Sequence, residues 1–408
     1  MSAQIVVCCG SGGVGKTSTS AALGLALAQA GHRVALLTID PARRLADSLN
    51  IVAIGGTPTR VPMPDVAGTC DALMLDVEET FEALIRRVAT SEESAQRILN
   101  NRYFQFASTR LGGVHEYMAA EKVRELALSN DYDWVVVDTP PARNALDFLR
   151  APERIAGLMD GGVVRWMAMP ATRSGWRALE LGSEAVARVL RRLVGNSTIG
   201  EIAEFFELFR DLWEGFHTRS HELQQLLSSQ RTRFFLITSP APTARREALF
   251  FLDQLADFNV PFGGFIINRV EQPPVHNGDL RQYLPDGLPP TLVDAICTIP
   301  EKQQMTASEH SKSIESLLSA GPQGAEHWIV PDLGKPINKL DDLLELARRG
   351  PAGGGGGDRI GVGSGRLAAE LQRVRRDCHS EMQAACVEYD GYVVEEIGPC
   401  EFLLAFPS

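Results

Sequence analysis

Residues 10–17 read GSGGVGKT, between an apolar run at 4–9 (QIVVCC) and a stretch of helix-forming composition at 18–31 (STSAALGLALAQAG). The octapeptide fits GxxxxGK[ST] in full, with a strand before it and a helix after it, the setting that the pattern requires. Its glycines let successive backbone N–H groups converge on one centre without Cβ clashes, and the following helix adds the positive end of its dipole. Such a nest holds phosphate oxygens. In it Lys16 would reach the β- and γ-phosphates and the Thr17 hydroxyl would ligate Mg²⁺. Gly31 fits the position just past the helix, and residues 33–39 (RVALLTI) make a second strand ending at Asp40. Strand, loop, helix and strand in that order predict the βαβ unit of an α/β fold: a doubly wound, mostly parallel sheet of the P-loop NTPase type.

Further strands are legible at 134–137, 233–237, 264–267 and 328–330. The first runs into Asp138 and the third into Asn268. Open α/β sheets take their ligands at the C-terminal ends of the strands. Asp40 and Asp138, both at that edge, suit holding Mg²⁺ and orienting an attacking water; each alone reads as readily as an N-cap or turn aspartate. The Asn268 amide offers a donor and an acceptor on one face and could read adenine, though spacing alone does not fix that role.

Between residues 147 and 230 the pattern is almost wholly helical, which predicts a helical insertion subdomain. Ile202, Phe205, Phe206, Phe209, Trp213 and Phe216 fall at helical spacing as an aromatic-rich stripe. Residues 350–358 (GPAGGGGGD) form a flexible linker and a domain boundary. The chain thus divides into a phosphate-loop domain at 1–349, the linker, and a small segment at 359–408. In that segment residues 367–386 suit a helix, and 392–397 with 402–406 suit a strand pair.

Charge narrows the function. Lys and Arg number 40 against 51 Asp and Glu, a net −11, which argues against a protein that grips nucleic acid through a basic face. Seven cysteines with no CxxC make neither a disulfide framework nor a four-cysteine zinc site. No apolar run reaches the length of a membrane span, and the N-terminus lacks the basic region of a signal peptide. The expectation is a cytoplasmic protein without stable membrane insertion.

Four segments carry a family resemblance: GSGGVGKTSTSAALGLALA from Gly10, TIDPARRLADS from Thr38, DTPPARNAL from Asp138 and TSPAPTARREA from Thr238. In this order they resemble the arsenite-pump and tail-anchored-protein targeting ATPases, dimeric P-loop enzymes of the deviant Walker A class, over residues 1–349. The resemblance implies that Gly12, Gly13, Val14, Gly15, Lys16, Thr17 and Ser18 wrap the triphosphate of ATP. It also implies that Asp40 in switch I polarises the hydrolytic water, that Asp138 begins switch II near the Mg²⁺, and that Asn268 contacts adenine. The helical insertion would correspond to the subdomain that forms a hydrophobic client groove in the targeting factors. The aromatic stripe reads either as a core face or, if Met167, Met169, Phe205, Phe209 and Trp213 are exposed together, as such a groove.

Departures from the family pattern are equally informative. Its signature lysine, which crosses the dimer interface to the partner's γ-phosphate, is replaced by Ser11. That removes a charge-assisted contact on the transferring phosphoryl group. The change fits a weakly hydrolysing homodimer, a heterodimer with a lysine-bearing paralogous ATPase, or substitution by another cation such as Arg43 or Arg44. Without CxxC there is no zinc clasp between protomers. Arsenite capture needs clustered thiolates, whereas Cys8 and Cys9 fall in a core strand and Cys70 and Cys297 stand alone. The C-terminal segment weakly resembles one helix and hairpin of a class III nucleotide cyclase, but Gly398 is followed by Pro399 and Cys400 where that hairpin carries a metal-binding aspartate. It reads as a fragment or a degenerate appendage without cyclase activity. The functional expectation is an Mg²⁺-ATP-driven switch acting on a protein client. Its alternatives are a non-hydrolysing heterodimer subunit, a ParA/MinD-type positioning ATPase and, least favoured for want of paired cysteines, an iron–sulfur reductase.

Overall fold

The computed structural model describes residues 2–39, 43–64, 66–101, 114–140, 148–151, 212, 215–216, 218–258, 260–274, 297–322, 325–337, 339–348, 392–398 and 401–405, with backbone alone for 43–44 and 392–405. Strands β1 (Gln4–Gly10), β2 (Arg33–Thr38), β3 (Thr59–Arg60), β4 (Thr69–Met74), β5 (Trp134–Asp138), β6 (Thr232–Thr238), β7 (Phe262–Val270) and β8 (Glu326–Pro331) form one sheet in the order β3-β4-β2-β5-β1-β6-β7-β8. Every pairing is parallel except that of the short edge strand β3 with β4. The expected doubly wound α/β sheet is therefore present, with β1 at its centre.

β1 is apolar throughout because both of its faces are covered. Ile5, Val7 and Cys9 enter one buried cluster while Val6 and Cys8 enter another. Parallel strands buried on both sides read as continuous hydrophobic runs rather than alternations. The first face is packed by α3 (Val77–Val88), α4 (Glu92–Asn100), α5 (Val114–Leu128), α6 (Pro242–Asp257) and α7 (Ile299–Ala320). The second is packed by α1 (Lys16–Gln29), α2 (Arg43–Ser48) and α8 (Leu340–Arg348). α1 is buried on nearly every side, from Ala21 to Ala28, which explains its uniformly small and apolar composition. It ends at Gly31, whose N–H returns to Ala28 O at 2.9 Å while that of His32 returns to Leu27 O at 3.2 Å.

Two strands, β3 and β4, were not expected. In β4, Thr69 and Asp71 interrupt the apolar run; Asp71 forms an ion pair with Arg60 of β3 and accepts from the Tyr132 hydroxyl at 3.3 Å. The C-terminal strand pair expected from sequence is present as an antiparallel two-stranded sheet of β9 (Tyr392–Gly398) and β10 (Glu401–Ala405). Most of the predicted helical insertion, including Met167, Met169, Phe205, Phe209 and Trp213, lies outside the described residues, as does the helix expected at 367–386. Of the aromatic stripe, Phe216 is described. It is buried in the first cluster, with its ring centroid 6.0 Å from that of Tyr117. Residues 218–228 form a helix that leads into β6. Among the described residues no helix is long and apolar enough to cross a membrane.

Candidate functional site

The loop between β1 and α1 is built by close approach. At Gly10, where β1 ends, a Cβ would lie 2.1 Å from the Ile237 carbonyl oxygen of β6, so only glycine lets the two strands run on to the sheet edge. Gly12 and Gly13 are exposed, Val14 is buried, and Ser18 is half-buried in the first turn of α1. Gly15, the residue that opens α1, has a φ of +88° and a left-handed backbone. Lys16 is 8% exposed, and its Nζ donates to the carbonyl oxygen of Ser11 at 2.8 Å. Ser11 is itself 7% exposed. Ser11, where the resemblance leads one to expect a lysine, is thus a buried residue here.

Asp138, at the end of β5, is 1% exposed beneath this loop. The Ser20 hydroxyl of α1, which donates to the Lys16 carbonyl at 2.9 Å, also lies 3.4 Å from Asp138 Oδ1, and the Thr38 hydroxyl of β2 donates to Asp138 Oδ2 at 3.4 Å. Burial pushes its carboxyl up from an ordinary 3.8 to about 6, against the pull of the Thr17 hydroxyl, the Lys16 ammonium and the Ser20 and Thr38 hydroxyls. A carboxylate taken out of water with three hydroxyls beside it is a hard all-oxygen donor set. That chemistry fits Mg²⁺. The neighbouring Thr139 caps the strand end by donating from Oγ1 to the Cys8 carbonyl at 2.8 Å.

Lys16, Thr17 and Asp138 therefore meet at one end of the sheet, as the sequence predicts. Asn268 joins them from β7: it is buried, and its Nδ2 donates to the Val14 carbonyl at 2.8 Å. Asp40 lies outside the described residues; Ile39, just before it, donates from its N–H to the Asp138 carbonyl at 3.1 Å. Sequence reasoning missed Ser20 and Thr38. Ser20 stands three residues after Thr17 on the same helix face and Thr38 ends a strand, so a hydroxyl at each of those places is the signal that was there to read. Among the described residues no three His, Cys, Asp or Glu side chains gather as a metal cluster. Cys8, Cys9 and Cys70 are all fully buried, and burial pushes the thiols of Cys9 and Cys70 up to about 12.

The sequence profile of a family described as anion-transporting ATPase matches residues 3–280. ATPase BagA of Mycobacterium tuberculosis is 22% identical over 266 residues, which are 64% of this chain and 63% of that protein. Putative arsenical pump-driving ATPase 1 of Aquifex aeolicus is 24% identical over 364 residues, 85% of this chain and 78% of the relative. The ATPase ASNA1 homolog of Dictyostelium discoideum is 28% identical over 166 residues, 41% and 46% of the two chains. The match thus spans a little under two thirds of the length of the mycobacterial relative.

Proposed function

The chain belongs to the anion-transporting ATPase family, and from that premise we propose that it is a cytoplasmic ATPase that binds Mg²⁺-ATP and hydrolyses it as a dimeric switch acting on a protein client. The observation that carries this reading is the meeting of Lys16, Thr17 and the buried Asp138 where β1 passes into α1. Phosphoryl transfer needs little covalent help from a protein; it needs placement and charge. Backbone N–H groups of residues 12–18 cradle the phosphates, and Lys16 exchanges the Ser11 carbonyl for a phosphate oxygen. Asp40 orients the attacking water. Thr17 and Asp138 are the residues that would hold Mg²⁺, which supplies charge neutralisation on the β- and γ-phosphates. Asn268 would contact adenine.

One relative's name bears on what is acted on. Arsenical pumping would need a cluster of exposed thiolates, and among the described residues Cys8, Cys9 and Cys70 are buried and no such cluster gathers. The resemblance of the four sequence segments to tail-anchored-protein targeting ATPases instead favours a hydrophobic protein client. Ser11 carries a second reading, in which this chain pairs with a lysine-bearing paralogue and hydrolyses little by itself.

The test is steady-state phosphate release with Mg²⁺-ATP by the wild type, Asp40→Asn and Ser11→Lys, with oligomeric state followed by gel filtration with and without ATP. Release that vanishes in Asp40→Asn and rises in Ser11→Lys supports the self-sufficient dimer. Tight ATP binding without release selects the heterodimer subunit. No ATP binding at all rejects both.

A further inference from the structure

The side chain of Asn268 is engaged by backbone at both ends. Nδ2 donates to the Val14 carbonyl at 2.8 Å, and Oδ1 accepts from the N–H of Arg269 at 2.9 Å. The backbone is unusual on both sides. Arg269 holds a φ of +58°, a left-handed conformation that a non-glycine residue keeps only when its surroundings impose it. Gly15 holds a φ of +88°, and a Cβ there would lie 2.4 Å from Asn268 Nδ2. The carboxamide therefore fills the space that a side chain at position 15 would need.

The consequence follows from peptide geometry. In a planar trans peptide the carbonyl and the following N–H point in opposite directions. Fixing the Val14 carbonyl against Asn268 thus fixes the Gly15 N–H facing away from Asn268. A phosphate nest works only if its N–H groups face the anion and its carbonyls face elsewhere, because an inward carbonyl would repel a phosphate oxygen. We propose that Asn268 is a positioning residue of the phosphate loop: it latches the Val14–Gly15 peptide in the orientation that binds polyphosphate. This rests on the reading of residues 10–17 as a phosphate site and goes beyond the adenine contact. A base reader contributes according to the base, whereas a peptide latch contributes according to the phosphate chain.

The experiment measures calorimetric binding of Mg²⁺ complexes of ATP, GTP and inorganic tripolyphosphate. The proteins are the wild type, Asn268→Ala, Asn268→Leu and Asn268→Asp, each with its thermal unfolding midpoint recorded. Leu keeps the buried volume without a donor; Asp keeps the shape but sets an oxygen against the Val14 carbonyl. The expected result is a loss of about tenfold for all three ligands in Asn268→Ala and Asn268→Leu, the scale of one buried hydrogen bond. Asn268→Asp should lose more; the loss for tripolyphosphate, which carries no base, reports the latch, and any extra loss of ATP relative to GTP reports the adenine contact. Loss of ATP binding with tripolyphosphate binding intact would assign Asn268 to the base and overturn the latch. Wild-type affinity in Asn268→Leu would reduce the residue to packing and overturn the latch as well. A wild type that binds none of the three ligands rejects the phosphate loop itself, and the latch with it.

Discussion

The ammonium of Lys16 donates to the carbonyl of Ser11 at 2.8 Å, and the two residues are 8% and 7% exposed. The loop is thereby closed on itself, with its one lysine charge held by its own backbone until a phosphate competes for it. Lys16→Met keeps the buried volume and removes the charge. Nucleotide affinity should fall between tenfold and a hundredfold, the range for hydrogen bonds to a charged group. Equilibrium binding of Mg²⁺-ATP reads this directly, and unchanged affinity in the variant would take Lys16 out of the site.

The buried carboxyl of Asp138 links proton uptake to stability. Its value is about 6 in the fold against an ordinary 3.8, so between those values the folded chain binds more protons than the unfolded one. Stability from this group is present below pH 3.8 and is lost as pH rises through 6. Asp138→Asn is neutral at every pH and escapes that loss. Without nucleotide or Mg²⁺ it should be more stable than the wild type by up to about 3 kcal/mol at pH 7.5, with the gap closed near pH 4. Urea unfolding at the two pH values measures it. The same variant should bind nucleotide with no benefit from Mg²⁺, and a variant that retained the benefit would remove Asp138 from the metal site.

How much of this could be read in advance depended on whether the cause was local. β1 and the phosphate loop were legible because a strand buried on both faces writes a continuous apolar run, and because glycines at fixed offsets have few other uses. The helix was expected from residue 18 but begins at Lys16, since left-handed Gly15 opens it. β4 was missed because Asp71 answers a charge on the neighbouring strand, which breaks the run. Ser20 and Thr38 were passed over because a hydroxyl carries no signal until a carboxylate is set beside it. The grip of Asn268 on Val14 joins residues 254 positions apart, and the burial of Ser11 is set by the fold rather than by its neighbours in sequence. Neither relationship has a local signature.

Away from the site, Glu121 of α5 is 1% exposed and faces three guanidinium groups: Arg219 in hydrogen-bonding contact, and Arg87 and Arg124 each at 3.6 Å. Arg124 is also answered by Glu222 at 2.6 Å and Arg87 by Glu125 at 3.7 Å, so Arg219 depends most on Glu121. Glu121→Gln should destabilise the fold by about 3 kcal/mol, because it strands a largely buried cation. Adding Arg219→Gln should recover part of that, since it removes the stranded charge. A double-mutant cycle by urea unfolding checks this, and simple additivity of the two costs would show the pair to be uncoupled.

Gly10 and Gly12 stand two residues apart in one motif but answer to different constraints. A Cβ at Gly10 would lie 2.1 Å from the Ile237 carbonyl oxygen, a backbone atom held in the β1–β6 pairing, so β6 would have to move. A Cβ at Gly12 meets nothing within 4 Å, and that residue is exposed. Gly10→Ala should therefore cost stability, by about 2 kcal/mol or more, as overpacking between fixed elements does. Gly12→Ala should unfold with the wild type, within about 0.5 kcal/mol. Its expected defect lies in function, because at the proposed phosphate site the added methyl group would crowd the bound phosphate. Nucleotide affinity should fall at least tenfold while the unfolding midpoint stays put, and calorimetry beside thermal unfolding separates the two effects. Were Gly12→Ala to bind Mg²⁺-ATP like the wild type, the exposed arm of the loop would not line the phosphate site, and the nest would be confined to Val14, Gly15 and Lys16.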